Sequence, residues 1–120
     1  MWVGFAAALF VLIVNVPAAH GQAVYGSIVG NVTDAQGAAL AGAKVTITNL
    51  AKGKTEETTT DASGSFTFLH LIPDTYKVRI EATGFKAYDV ATVQVQVDSA
   101  ARVDAQLEVG AVTQSIEVTG

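Results

Sequence analysis

Hydrophobic and polar positions alternate along most of this chain with the two-residue period of strands that bury one face. Phe66 and Phe68 alternate with Ser65 and Thr67. Pro73-Asp74 then reverses the chain, and Tyr76, Val78, Ile80 and Ala82 alternate with Lys77, Arg79 and Glu81. These two amphipathic strands, joined by a short corner, form the centre of the pattern. Upstream, residues 24–33 put Ile28, Gly30 and Val32 on one face, and Gly26 and Gly30 predict a bulge or a close approach by a neighbouring backbone. Residues 43–49 turn Val45 and Ile47 inward.

Residues 54–60 are polar and threonine-rich, with almost nothing to bury. They predict an edge strand, guarded against pairing by Lys54, Glu56 and Glu57. Downstream, Val93, Val95 and Val97 share one face of a strand over 88–97, and Ala101, Val103, Ala105 and Leu107 share one face of the next. The turns Thr33-Asp34-Ala35-Gln36-Gly37 and Thr60-Asp61-Ala62-Ser63-Gly64 use an aspartate to bond nearby amides and a glycine to reach positive φ. Seven strands at roughly ten-residue spacing, with no helical period in this part, predict an all-β, seven-stranded Greek-key sandwich.

The two ends of the chain differ from this pattern. Residues 2–14 are an unbroken apolar run apart from Gly4, shorter than the ~20 residues needed to span a bilayer. The run fits the ~7–15-residue core of a secretory signal, and small residues allow cleavage after Gly21 or after Ala23. The organisation expected is a signal-peptide helix over 1–23, a sandwich over 24–109, and a linker or the start of a following region over 110–120. In that last part Val112, Gln114, Ile116 and Val118 begin a new, looser alternation, as expected of a fragment that leads into something further.

Composition narrows the function classes. All seven basic and all eleven acidic side chains lie after residue 23. That balance offers no basic stripe for nucleic acid or an anionic lipid surface. With no cysteine, an exported domain has to hold together by packing alone, which suits a bacterial envelope.

Taken in order, the turns and strand starts resemble a known family. Gly30-Asn31-Val32-Thr33-Asp34-Ala35-Gln36-Gly37 is similar to the G-x-V-x-D-x-x-G opening of carboxypeptidase regulatory-like domains. Gly42-Ala43-Lys44-Val45-Thr46-Ile47 resembles the next element, with Ala41 in place of its proline. Thr60-Asp61-Ala62-Ser63-Gly64-Ser65-Phe66-Thr67-Phe68 resembles T-D-x-x-G-x-(Y/F)-x-F. Leu71-Ile72-Pro73-Asp74-Thr75-Tyr76-Lys77-Val78 resembles L-x-P-G-x-Y-x-V, with Asp74 replacing the glycine, and Ala82-Thr83-Gly84-Phe85 resembles A-x-G-F.

The resemblance implies a transthyretin-like (prealbumin-like) sandwich, grouped with carbohydrate-binding-like folds. In metallocarboxypeptidases the module sits, itself non-catalytic, beside the catalytic domain. In double-membraned bacteria a signal peptide followed by this module opens one group of TonB-dependent outer-membrane receptors. The segment 115–119 resembles the lead-in to the plug of those receptors. What is implied is an exported, non-enzymatic accessory module in the periplasm or at the outer membrane. Its partners would be other envelope proteins or a covalently following receptor domain, with no nucleic acid and no membrane insertion after signal cleavage. The alternative implied is a module that binds an envelope or extracellular glycan. A comparison with collagen-adhesin B-type domains brings in their Lys–Asn isopeptide cross-link, which is not expected here because residues 27–33 hold no lysine.

Chemistry adds little to this. His70 is the only histidine after residue 23 and is expected to face outward, so no triad and no zinc site is predicted. Asp34, Asp61 and Asp74 fall in turns that could gather at one end of the sandwich to hold calcium, although each also suits its turn. Tyr25, Tyr76, Tyr88 and Phe85 are the aromatics available for stacking on a sugar. Tyr76 is expected in the core with its hydroxyl on a backbone group at the corner, and Phe85 and Tyr88 in an exposed patch. No catalytic, metal or cofactor residue is assigned, and the ligand-binding residues are left open.

Overall fold

The alternating strands close into a sandwich of two sheets. The computed structural model describes residues 24–110 and the backbone of Ser115–Val118. The strands are β1 (Gly26–Thr33), β2 (Lys44–Asn49), β3 (Thr55–Thr59), β4 (Ser65–Leu71), β5 (Thr75–Glu81), β6 (Ala87–Gln94), β7 (Ala100–Arg102), β8 (Ala105–Gln106) and β9 (Ser115–Val118). One sheet has the order β4-β1-β7, with β8 also on β1; the other has the order β3-β2-β5-β6-β9. The chain crosses between sheets at the β1–β2, β3–β4, β4–β5, β6–β7 and β8–β9 connections. The signal-peptide helix and its two cleavage points lie outside the described residues.

The core is built from the predicted inward faces. Ile28 and Val32 of β1, Val45 and Ile47 of β2, Phe66 and Phe68 of β4, and Tyr76, Val78 and Ile80 of β5 are all buried and packed together. Burying side chains of this size contributes roughly 1.5–3 kcal/mol each, so this layer carries the fold without disulfides. The polar segment is an edge strand as expected: β3 pairs only with β2, and Lys44 Nζ meets Glu57 Oε1 at 3.1 Å across that pair. Thr60, just beyond it, is buried. Its hydroxyl accepts from the Ala43 amide and donates to the Leu40 carbonyl, fixing the small-residue connection before β2.

Both glycines of β1 serve close approach. A Cβ at Gly30 would overlap the Val103 carbonyl oxygen and lie 2.8 Å from Phe66 Cζ, and one at Gly26 would overlap the Gln96 carbonyl oxygen. The β1–β4 register also shifts between Gly26 and Ile28.

The count of seven strands needs correction. The single strand expected over 101–107 is divided into β7 and β8, both parallel to β1. Val103 N–H donates to Val29 O at 2.8 Å, but the Asn31 amide donates instead to the Asp104 carboxylate, Oδ1 at 3.1 Å. The Val103 carbonyl fills the space over Gly30, and a side chain takes over the ladder. Side-chain alternation alone does not register that exchange. Part of the expected linker is also a strand: β9 pairs parallel with β6, Ala87 opposite Ser115 and Val90 opposite Val118. Finally, β6 ends at Gln94 and Val97 is exposed rather than continuing the face of Val93 and Val95.

Candidate functional site

The two ends of the sandwich have different surfaces. At one end, the β1–β2 and β3–β4 turns are closed by aspartates. Asp34 Oδ1 accepts from the amides of Gln36 and Ala38, both at 2.9 Å. Asp61 Oδ1 accepts from the Ser63 amide at 2.9 Å, the Ser63 hydroxyl at 2.7 Å and the Ser65 amide at 3.0 Å. The Ser63 hydroxyl and the Ser65 amide hold the Asp61 carboxyl below the usual carboxylate range, against a smaller burial effect.

Asp74 lies at the other end, in the β4–β5 corner, where its carboxylate accepts from Asn49 Nδ2. The three aspartates therefore do not gather, and the calcium grouping is not formed. Among the described residues no three His, Cys, Asp or Glu side chains converge as metal ligands.

The Asp74 end is apolar. Val24 and Tyr25 before β1, Leu50 after β2, Leu69 in β4, Ile72 in the corner and Val97 after β6 are all exposed there. Backbone bonds tie these segments together: Leu50 N–H donates to Thr75 O, Val95 N–H to Asp74 O, and Asp98 N–H to Tyr25 O. Of the large hydrophobics exposed among the described residues, Val109 alone sits at the opposite end, beside Phe85. Exposed apolar side chains gathered on one surface mark a contact site better than the same residues scattered singly.

Within this apolar end is a shallow cleft of about 560 Å³, lined by Val24, Tyr25, Ser27, Leu69, His70, Asp98 and Ser99 among others. His70 reaches it through a bulge. Ile28 faces Phe68 and Gly26 faces Leu71, so β4 carries one residue more than β1 over this stretch. Leu69 and His70 both point to solvent as a result. His70 has φ 57° and Asp98 has φ 55°, the two non-glycine residues with positive φ among those described. The His70 ring stands perpendicular to the Tyr25 ring, at 86° with centroids 5.8 Å apart, an edge-to-face contact between two exposed side chains.

The expected aromatic platform lies elsewhere than predicted. Phe85 and Tyr88 are half-buried against the core, so they form no exposed patch. Tyr25 is the exposed aromatic, at 46%. Tyr76 is in the core as expected, and its hydroxyl donates to the Ile72 carbonyl at 2.8 Å. Asp98 and Leu69 were not distinguished in the sequence as site residues. The available signal was the step from Phe68 to Leu71, which breaks the alternation and announces an extra residue.

Elsewhere an ion-pair cluster is committed to structure. Arg79 Nη1 donates to Asp89 Oδ2 at 2.7 Å and Arg79 Nε to Glu81 Oε1 at 3.0 Å, on the outer face of the larger sheet. Burial opposes the Arg79 charge, but the Glu81 and Asp89 carboxylates outweigh it and raise its pKa. The arrangement pairs the buried Asp89 with a cation.

The profile of the carboxypeptidase regulatory-like domain matches residues 27–108. No curated protein matches the chain. Among solved structures, the TIE protein of Bacillus anthracis is similar with a TM-score of 0.61 and 17% identity, over 72% of this chain and 17% of that one. A hydroxyquinol 1,2-dioxygenase from Pseudomonas putida is similar with a TM-score of 0.58 and 12% identity, over 72% of this chain and 57% of that one. A minor pilin of Streptococcus agalactiae is similar with a TM-score of 0.57 and 14% identity, over 76% of this chain and 48% of that one. The chain thus spans from about a sixth to somewhat over half of these proteins. At such identities the likeness is one of fold, shared by an enzyme and a pilin alike.

Proposed function

Because the chain belongs to the carboxypeptidase regulatory-like domain family, we propose that it is a non-enzymatic interaction module of the bacterial cell envelope. In this reading it is exported to the periplasm or the outer membrane and forms the N-terminal extension of a TonB-dependent outer-membrane receptor. The observation that carries the reading is the apolar end of the sandwich, where Val24, Tyr25, Leu50, Leu69, Ile72 and Val97 are exposed together. The direction of the strands supports it. The chain enters β1 at this end, and β9 runs parallel to β6 toward the same end. Contacts with an adjoining receptor domain or envelope protein would fall where the apolar side chains are.

Site-specific photo-cross-linking in exporting cells tests this. A cross-linker at Leu69 or Ile72 is expected to capture an outer-membrane barrel protein, recognised by its change in gel mobility on boiling. A cross-linker at Ala35 or Ser63, on the opposite end, is expected to capture none. Equal capture from both ends, or none from Leu69 and Ile72, would overturn the reading.

A further inference from the structure

We propose that the cleft between the β1 entry, the β4 bulge and the β6–β7 turn binds a neutral hexopyranose unit of a glycan. The inference deepens the reading of the apolar end as the contact surface and rests on it. Three observations converge on this ligand chemistry.

First, the cleft has the dimensions of a small-molecule site: about 560 Å³, within the ~300–1,000 Å³ usual for such sites. Its lining includes Val24, Leu69 and Tyr25, whose ring meets that of His70 edge to face. An exposed aromatic beside aliphatic groups matches the C–H face of a pyranose, which is apolar although its rim is all hydroxyl.

Second, the cleft gathers several polar side chains at the surface, and among the described aspartates Asp98 is the one whose carboxylate makes no bond within the protein. Asp34, Asp61, Asp74, Asp89 and Asp104 all have bonded carboxylates. Among the described residues, the Asp98 carboxylate, the His70 nitrogens and the hydroxyls of Tyr25, Ser27 and Ser99 have no bonding partner. A carboxylate accepts from two sugar hydroxyls at once, and an imidazole or a hydroxyl both donates and accepts. That set suits a polyol. It does not suit a phosphate or a uronic acid, since Asp98 would repel either and no Lys or Arg lines the cleft.

Third, both non-glycine residues with positive φ among those described lie here. Backbone held in sparsely populated regions collects at ligand clamps, where the surrounding structure maintains it. His70 is held by the bulge, and Asp98 by the hydrogen bond its backbone N–H donates to Tyr25 O at 3.0 Å.

The test is a titration of the full chain, followed by amide NMR shifts, with cellohexaose and separately with maltohexaose. Both are neutral glucose chains and differ in linkage. One of them is expected to shift Tyr25, Leu69, His70, Asp98 and Ser99 while leaving Phe85 and Tyr88 unmoved. Tyr25→Ala and Asp98→Asn are each expected to weaken that binding about tenfold or more, which corresponds to ~1.4 kcal/mol. His70→Gly keeps the left-handed backbone and removes only the imidazole, so it reports that group without disturbing the bulge. An unchanged amide spectrum away from the cleft establishes that each variant is folded. Absence of shifts with both sugars, shifts centred on Phe85 and Tyr88, or undiminished binding by Tyr25→Ala would overturn the proposal. The cross-linking from Leu69 and Ile72 reads the broader proposal separately: capture of a barrel protein by a chain inert to both sugars would remove the glycan and keep the contact surface.

Discussion

His70 is the residue at which local rules and the observed backbone differ most. A histidine in a left-handed conformation is uncommon but tolerated, because His, Asn and Asp enter that region more readily than other side chains. Its φ of 57° follows from the extra residue that β4 inserts opposite β1, a position where glycine would carry no steric penalty. His70→Gly is therefore expected to leave thermal stability unchanged or slightly raised. His70→Val places a β-branched side chain in the same backbone and is expected to cost about 1–2 kcal/mol, read as a lowered midpoint in chemical denaturation. Equal stability of the two variants would mean that the bulge relaxes freely and His70 is not held. Asp74 shows the converse. The family pattern has glycine at this position, but Asp74 is not among the residues with positive φ, so the aspartate fits without strain and adds its bond to Asn49.

Among the elements, β1 shows what alternation reveals and what it conceals. The inward set of Ile28, Val32, Val45, Ile47, Phe66, Phe68, Tyr76, Val78 and Ile80 was legible because burying one face of a strand imposes a period of two on the sequence. Phe66→Ala, which opens a cavity in that layer, is expected to cost ~3–5 kcal/mol. The division between β7 and β8 was not legible, because it is a backbone event: the Val103 carbonyl turns over Gly30 and the Asp104 carboxylate takes its place in the ladder. The glycine signalled a close approach without naming the neighbour. The cleft was hidden for a related reason. Tyr25, His70 and Asp98 are far apart in sequence and meet only because β1 starts beside the end of β4 and the β6–β7 turn. Two substitutions separate the parts of the β1 ladder. Gly30→Ala drives a methyl into a backbone carbonyl and is expected to cost ~3 kcal/mol, at the upper end for overpacking. Asp104→Ala frees one solvent-facing amide and is expected to cost only about 0.5–1.5 kcal/mol. Denaturation of both variants checks the ordering, and an Asp104→Ala loss as large as that of Gly30→Ala would show that the carboxylate, not the packing, holds β8 on β1.

For the whole molecule, the two ends of the sandwich should respond to opposite extremes of pH. At the aspartate-closed end, the Asp61 carboxyl is held below its ordinary range by the Ser63 hydroxyl and the Ser65 amide. The folded state thus favours the ionised form. That contribution to stability is complete above the ordinary carboxylate range and is lost as pH falls through the depressed folded value. At the apolar end, burial raises the Tyr76 pKa, with the Asp74 and Glu56 carboxylates adding to the effect. The folded state there favours the neutral phenol. Its contribution is complete below the ordinary phenol value of about 10 and is lost as pH rises through the raised folded value. The wild-type chain should therefore lose stability at both extremes, by different groups about a strand's length apart. Asp61→Asn keeps an oxygen for the turn amides but removes the titration, so it should flatten the acid limb and leave the alkaline limb in place. Tyr76→Phe should flatten the alkaline limb and cost about 0.5–1.5 kcal/mol at neutral pH through loss of the bond to Ile72 O. Denaturation midpoints across the pH range decide the matter. If Asp61→Asn altered the alkaline limb as much as the acid one, the two ends would be coupled through the core, and the assignment of each limb to one end would fail.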